Sequence, residues 1–180
     1  LDASTQGLQV YAMILRDEAS AYATNVLPRD QPGDVYQDVC DKTIEKLQQS
    51  SDPYARPWLQ FGVTRAGTKR QTMTLCYRST LFSCRTYTAE WFYNELREKG
   101  RPNPFGDETY RPCNFLADLV WESIGEVVGS ARRGMDWLRD VAAVCLDNDV
   151  PVQWVTPNGF IVRMDYRKKH KNIVKTVVNG

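Results

Sequence analysis

Residues Val63 to Ser79 read VTRAGTKRQTMTLCYRS, which sets Arg65, Lys69, Met73 and Tyr77 four positions apart. That spacing puts side chains on one slowly rotating stripe of an α-helix, with Arg65 and Tyr77 ~18 Å apart along the axis. The same stretch also carries signs of a strand. Thr72 to Tyr77 alternate Thr, Met, Thr, Leu, Cys, Tyr, and the β-branched residues together with Gly67 lower helix propensity. Pattern alone leaves both structures open. As a helix, the stripe offers a planar fork at Arg65, a mobile point charge at Lys69 and a ring with a hydroxyl at Tyr77. Its length and chemistry suit a nucleoside triphosphate, with phosphates at one end and the nucleoside at the other. The competing view is that the cations decorate a wet face while Met73 and Tyr77 belong to a core.

Outward from this stretch, charge is segregated although the net charge is only +1. From Pro53 to Ala89 there is no Asp or Glu, while Arg56, Arg65, Lys69, Arg70, Arg78 and Arg85 all fall there. A local cationic block is a better guide to an anionic partner than the sum. A second basic run, RKKHKNIVK from Arg167, reads as a solvated face. With 180 residues, 42% hydrophobic and 25% charged, the chain can bury a core of its own. No apolar run reaches the ~20 residues of a membrane span, and no secretory signal pattern opens the chain, so no membrane partner is expected. The five cysteines lack a C-x-x-C pair and His170 is the single histidine, the pattern of neither a zinc site nor a disulfide scaffold. Beginning at Leu1 and ending on TVVNG, the chain reads as a piece of something longer.

Leu8, Tyr11, Ala12 and Leu15 recur at helical spacing ahead of a linker, LPRDQPGD. Asp34 is placed to cap a helix whose stripe is Val35, Val39, Ile44 and Leu47, ended by the breaker SSDPYARP. Asn114 is placed to cap a long helix, FLADLVWESIGEVVGS, that continues or restarts through MDWLRDVAAVCL. VPVQWV and FIVRMDY flank the turn formers of TPNG, which predicts a β-hairpin. The fold class expected is mostly α, α+β overall. Asp2 is suited to a metal ion, but the next acids, Asp17 and Glu18, lie ~23 Å along a helix, too far to complete a pair.

Five blocks occur together and in order: LDASTQGLQ with LRDE, DVYQDV, the run W-L-x-x-G-V-T-R-x-x-T-K-R-x-x-M-T-L-x-Y from Trp58 to Tyr77, LVWES, and WVTPNGF. In them the chain resembles the single-subunit DNA-directed RNA polymerases of bacteriophages and mitochondria, the phage type more closely, over essentially its whole length. The resemblance implies a right-hand polymerase, with residues 1–30 a palm segment holding the first metal motif, 31–153 the fingers subdomain, and 154–180 a return to the palm through the hairpin. It implies that Asp2, with the Ala3 carbonyl, binds metal, and that two Mg²⁺ ions serve the complete site. Arg65, Lys69 and Arg70 match triphosphate-binding positions, with Met73 and Tyr77 completing the substrate site. Lys69 is also the implied proton donor to pyrophosphate, and Tyr77 the residue that monitors the sugar. Tyr36 and Phe82, with Arg78, fall at positions implied to contact template. The partners implied are DNA template, nascent RNA, ribonucleoside triphosphates and the remaining polymerase: amino-terminal domain, thumb and rest of the palm. The setting implied is the cytoplasm of an infected bacterial cell, with the mitochondrion as alternative.

Related DNA polymerases carry a glutamate five residues after the metal aspartate, where this chain has Gly7, so the resemblance implies ribonucleotide use. A DNA polymerase fragment of that kind is one alternative reading. The chain departs from the family pattern at Val10, Arg78, Ser83 and Gln153. The family has glycine at the positions of Arg78 and Ser83. Its second metal aspartate is not in this sequence, so the chain by itself is expected not to polymerise. A non-catalytic nucleic-acid-binding module derived from the polymerase is the other alternative.

Overall fold

The computed structural model describes residues 5–165 and is mostly helical. Two compact units divide at Trp137 and Leu138, inside one helix. The first contains α1 (Gln6–Ile14), α2 (Glu18–Ala23), α3 (Val35–Gln49), α4 (Ala55–Phe61), α5 (Arg65–Thr74), α6 (Leu81–Lys99), α7 (Tyr110–Val127) and the start of α8 (Gly129–Asp147). A 3-10 turn, Leu75–Tyr77, closes α5.

The helix reading of the opening stretch therefore holds for Arg65–Thr74, and the strand reading is overturned. The threonine hydroxyls that favoured a strand find acceptors inside the helix. Thr72 Oγ1 donates to the Thr68 carbonyl at 2.8 Å, and Thr74 Oγ1 to the Arg70 carbonyl at 2.8 Å. Such back-bonding removes the cost of burying the hydroxyl.

α3 begins where the sequence places it. Asp34 has extended backbone, and its Oδ1 accepts from the amides of Tyr36 and Gln37 at 3.1 and 3.2 Å. Those are two of the four amides a helix start leaves without internal acceptors. Val35, Val39, Thr43 and Leu47 then bury one stripe.

Three readings need correction. α7 begins at Tyr110, so Asn114 lies inside it rather than at its cap. The Glu108 carboxylate accepts from the Arg111 amide at 3.2 Å, and Pro112 sits in the first turn, where a missing N–H costs nothing. The breaker SSDPYARP is likewise part helix, since α4 starts at Ala55 and Pro57 occupies its first turn. The single helix read from Leu8 up to the linker LPRDQPGD is broken in two, α1 and α2, at Arg16, which has φ 50°, and α6 carries no sequence assignment at all. α6 is started by a reciprocal cap in which Thr80 Oγ1 accepts from the Ser83 amide at 3.3 Å and Ser83 Oγ from the Thr80 amide at 3.5 Å. Ser83, where the resemblance implies glycine, thus has a structural use.

The core lies among α3, α4, α6 and α7. Leu116, Ala117, Val120 and Ile124 of α7 are essentially sealed from water. Each such large aliphatic contributes roughly 1.5–3 kcal/mol by burial. Trp58 of α4 stands at the centre of an aromatic cluster, 4.8 Å from the ring of Phe105 and 5.1 Å from that of Phe92, and its indole donates to the Pro112 carbonyl at 2.9 Å. The start of α8 is pinned to α2 through Asp17, which caps α2 and accepts from the Ser130 amide at 3.2 Å.

The second unit contains the rest of α8 and an antiparallel hairpin, β1 (Val152–Val155) with β2 (Ile161–Met164). Val152 pairs with Met164 and Val155 with Ile161, as the TPNG turn predicts. Gly159 takes φ 84°, a left-handed conformation suited to glycine. Among the described residues no helix is long and apolar enough to cross a membrane.

Candidate functional site

α5 is oriented by an unusual inner face. Gly67, Thr68, Gln71 and Thr72 are its buried residues, and no large aliphatic is among them. Gly67 is required by proximity: a β-carbon there would stand 2.9 Å from the Trp91 indole of α6. Thr68 Oγ1 donates to the Tyr36 carbonyl of α3 at 3.0 Å. Gln71 Nε2 donates to the Gly67 carbonyl at 2.7 Å and reaches Thr88 Oγ1 of α6 at 3.1 Å. The buried polar side chains of α5 itself are satisfied, whereas the Trp91 indole N–H that packs beside Gly67 is buried without a hydrogen-bond partner among the described residues.

The outer face is then the stripe. Arg65, Lys69, Met73 and Tyr77 line one cleft of about 480 Å³, closed on the other side by Thr5, Gln6, Gly7 and Leu8 of the α1 region and floored by Tyr36 and Cys76. Met73 is 45% exposed and Tyr77 77% exposed, so neither belongs to a core. The view that these two are core residues is overturned. An apolar residue and a phenol left open beside two cations form a surface with one charged and one flat, amphipathic end.

The charged end is arranged around Tyr36. Its ring is buried in the cleft wall, with the Arg65 guanidinium 5.0 Å and the Lys69 ammonium 5.9 Å from its centroid. Both distances are within cation–π range. Arg65 Nε also donates to the Asp34 carboxylate. Burial pushes the Asp34 carboxyl up, but the hydrogen bonds from Arg65 and from the Gln37 and Tyr36 amides outweigh it and hold the group below the usual carboxylate range. The Tyr36 phenol is pushed up by burial, against the pull of Arg65. Burial drives the Cys76 thiol up to about 11, so it stays protonated at neutral pH.

Gly7 lies against Cys76. A β-carbon at residue 7 would meet Cys76 Cβ at 2.8 Å and Sγ at 3.0 Å. The absent side chain is therefore also a packing requirement that joins α1 to the turn carrying Tyr77.

Other sequence-derived positions lie elsewhere. Arg70 faces α6, where its guanidinium pairs with Glu90 and lies 4.0 Å over the ring of Tyr87, so it does not line the cleft. Arg78 is exposed and left-handed, with φ 66° and ψ 31°. This conformation strains any residue with a β-carbon and is natural to glycine. Phe82 is 79% exposed at the start of α6 and borders a separate cleft of about 290 Å³ with Arg85, Tyr93 and Tyr110. Asp2 and Ala3, together with His170 and the second basic run, lie outside the described residues. Sequence reasoning took Asp34 only as a helix cap and passed over Cys76. The signal for Asp34 is the D-x-Y of DVYQDV, which sets an acid two residues before the tyrosine under both cations.

A family model described as DNA-dependent RNA polymerase matches residues 1–180. The DNA-directed RNA polymerase of Enterobacteria phage K11 is 29% identical over 99% of this chain and 24% of its own length. That of Pseudomonas phage phiKMV is 33% identical over 93% of this chain and 21% of its own. Mitochondrial DNA-directed RNA polymerase 1B of Nicotiana tabacum is 30% identical over 97% of this chain and 18% of its own. The chain thus spans less than a quarter of these relatives.

Proposed function

The chain belongs to the DNA-dependent RNA polymerase family, and from that premise we propose that it is the nucleotide-binding fingers region of a single-subunit RNA polymerase, with palm segments at residues 1–30 and 154–180. The observation that carries this reading is the cleft, where Arg65, Lys69, Met73 and Tyr77 converge on one open face of α5.

The reaction is transfer of a nucleotidyl group to growing RNA, directed by pairing with a DNA template. The 3′-hydroxyl of the RNA gives up its proton to solvent as its oxygen forms a bond to the α-phosphorus of a ribonucleoside triphosphate, while the bond to the β-phosphate oxygen breaks and pyrophosphate leaves. Arg65 grips phosphate oxygens with its planar fork, and Lys69 follows charge as it develops on the leaving group. Lys69 is the donor that returns a proton to pyrophosphate. Tyr77 sets its exposed ring and hydroxyl against the nucleoside, and Met73 fills the apolar space between sugar and phosphates. The sugar is ribose because Gly7 leaves its 2′-side clear. Arg70 supports α5 through Glu90 and Tyr87 and meets phosphate only if that pairing opens. Phe82, beside its own cleft, and Arg78 contact the template.

Asp2 and the Ala3 carbonyl supply hard oxygen donors of the kind that suit Mg²⁺, and they lie three and two residues before the cleft-lining Thr5. When bound, such an ion supplies Lewis-acid stabilisation of phosphate charge.

The test is primer extension by the polymerase that carries this segment. Lys69→Ala is expected to slow incorporation by about 100-fold or more, the scale of a lost general acid beside phosphate. Unchanged extension would sink the assignment.

A further inference from the structure

We infer that Asp34 is a positioning residue that aims Arg65 at the triphosphate, an inference that rests on the nucleotide-binding reading above. The contact joins residues 31 apart in sequence and uses Arg65 Nε. Nε lies on one edge of the planar guanidinium. A carboxylate on that edge leaves the pair of terminal nitrogens directed away from it, and sets the positive charge between the carboxylate and an anion docked on the far edge. The ring of Tyr36 fixes the plane from a second direction, 5.0 Å from the guanidinium carbon. An otherwise loose side chain is therefore clasped at an edge and on a face.

The clasp is itself anchored. While Asp34 Oδ2 takes Arg65, Oδ1 accepts from the Tyr36 and Gln37 amides at 3.1 and 3.2 Å. The carboxylate is bound to the first turn of α3, a rigid element, and cannot swing without uncapping that helix. Capping alone does not need the charge, because Asn and Ser cap as well as Asp. Stability does not account for it either, since the two side chains are 41% and 42% exposed and an ion pair so open contributes little. Orientation of the fork is the use that remains.

Asp34→Asn keeps the cap and the side-chain volume and removes the charge. Asp34→Ser also keeps a cap and removes the charge, with a smaller side chain. Both are compared with wild type by titrating the full chain with mant-ATP in excess magnesium and reading fluorescence. Each variant is expected to bind about fivefold more weakly, the upper end of what a half-exposed pair delivers. On an Arg65→Ala background, Asp34→Asn is expected to change the dissociation constant by less than about twofold, because it acts only through Arg65. Unchanged or tighter binding by the single variants overturns the inference, as does a loss that persists without Arg65. Failure of the wild-type chain to bind mant-ATP removes the nucleotide reading and this inference with it. Binding by wild type that Asp34→Asn leaves untouched removes the clasp alone.

Discussion

α5 and α7 lie in the same unit, yet they bury opposite kinds of surface. α7 turns Leu116, Ala117, Val120 and Ile124 inward. α5 turns Gly67, Thr68, Gln71 and Thr72 inward and leaves Met73 in the open, as the 3-10 turn that follows leaves Tyr77. A helix that serves only the core sorts its residues by water affinity. α5 holds its position by close approach and by hydrogen bonds, which leaves its outer side chains open to the nucleotide proposed above.

The sharpest way to break that comparison is to delete an apolar group from each helix. Leu116→Ala in α7 is expected to cost about 2–5 kcal/mol, because it opens a cavity in a sealed core. Met73→Ala in α5 is expected to cost less than about 0.5 kcal/mol, as an open position should. Urea unfolding of both variants decides the matter, and equal losses would return Met73 to the core.

A smaller effect is expected just past α5. Arg78 holds φ 66°. Arg78→Gly is expected to raise stability by about 0.5–1 kcal/mol, strain relief being partly offset by the freer unfolded chain. A lower thermal midpoint for the variant would mean that the Arg78 side chain contributes more than its backbone costs.

The smallest concerns pH. The Asp34 carboxyl is held below its usual range in the folded chain, so its contribution is present above the unfolded value of ~3.9 and is lost as pH falls through the folded one. Screening at this exposure limits it to about 0.5 kcal/mol. Wild type and Asp34→Asn should differ in stability above the unfolded value of ~3.9 and converge as pH falls below it. Since Asp17, Glu95 and Glu126 are also lowered, only the difference between the two proteins reports on Asp34. Parallel curves would show that the pair contributes nothing to folding.

α3, most of α7 and the hairpin were legible because their patterns obey the common rules: an aspartate cap, a continuous apolar stripe, strands around a Pro-Asn-Gly turn. α6 was not, for a physical reason. Its buried line is Cys84, Thr88, Phe92 and Glu95, half of it polar, with Glu95 neutralised by Lys99 at 2.7 Å and Arg101 at 3.1 Å. Hydrophobic periodicity cannot register such a face. α5 was ambiguous for the related reason that its buried face is glycine, threonine and glutamine, so neither side of the helix carries an apolar stripe. The spacing of Arg65, Lys69, Met73 and Tyr77 was readable, and the cleft brings those four together. The destination of Arg70 was not, because its partners Glu90 and Tyr87 lie on another helix.

The contact of Gly67 with Trp91 has a mechanical meaning. A β-carbon at residue 67 would stand 2.9 Å from the Trp91 indole, so rolling α5 about its own axis would press a residue that carries a side chain against that ring. The two helices are keyed together like gear and shaft.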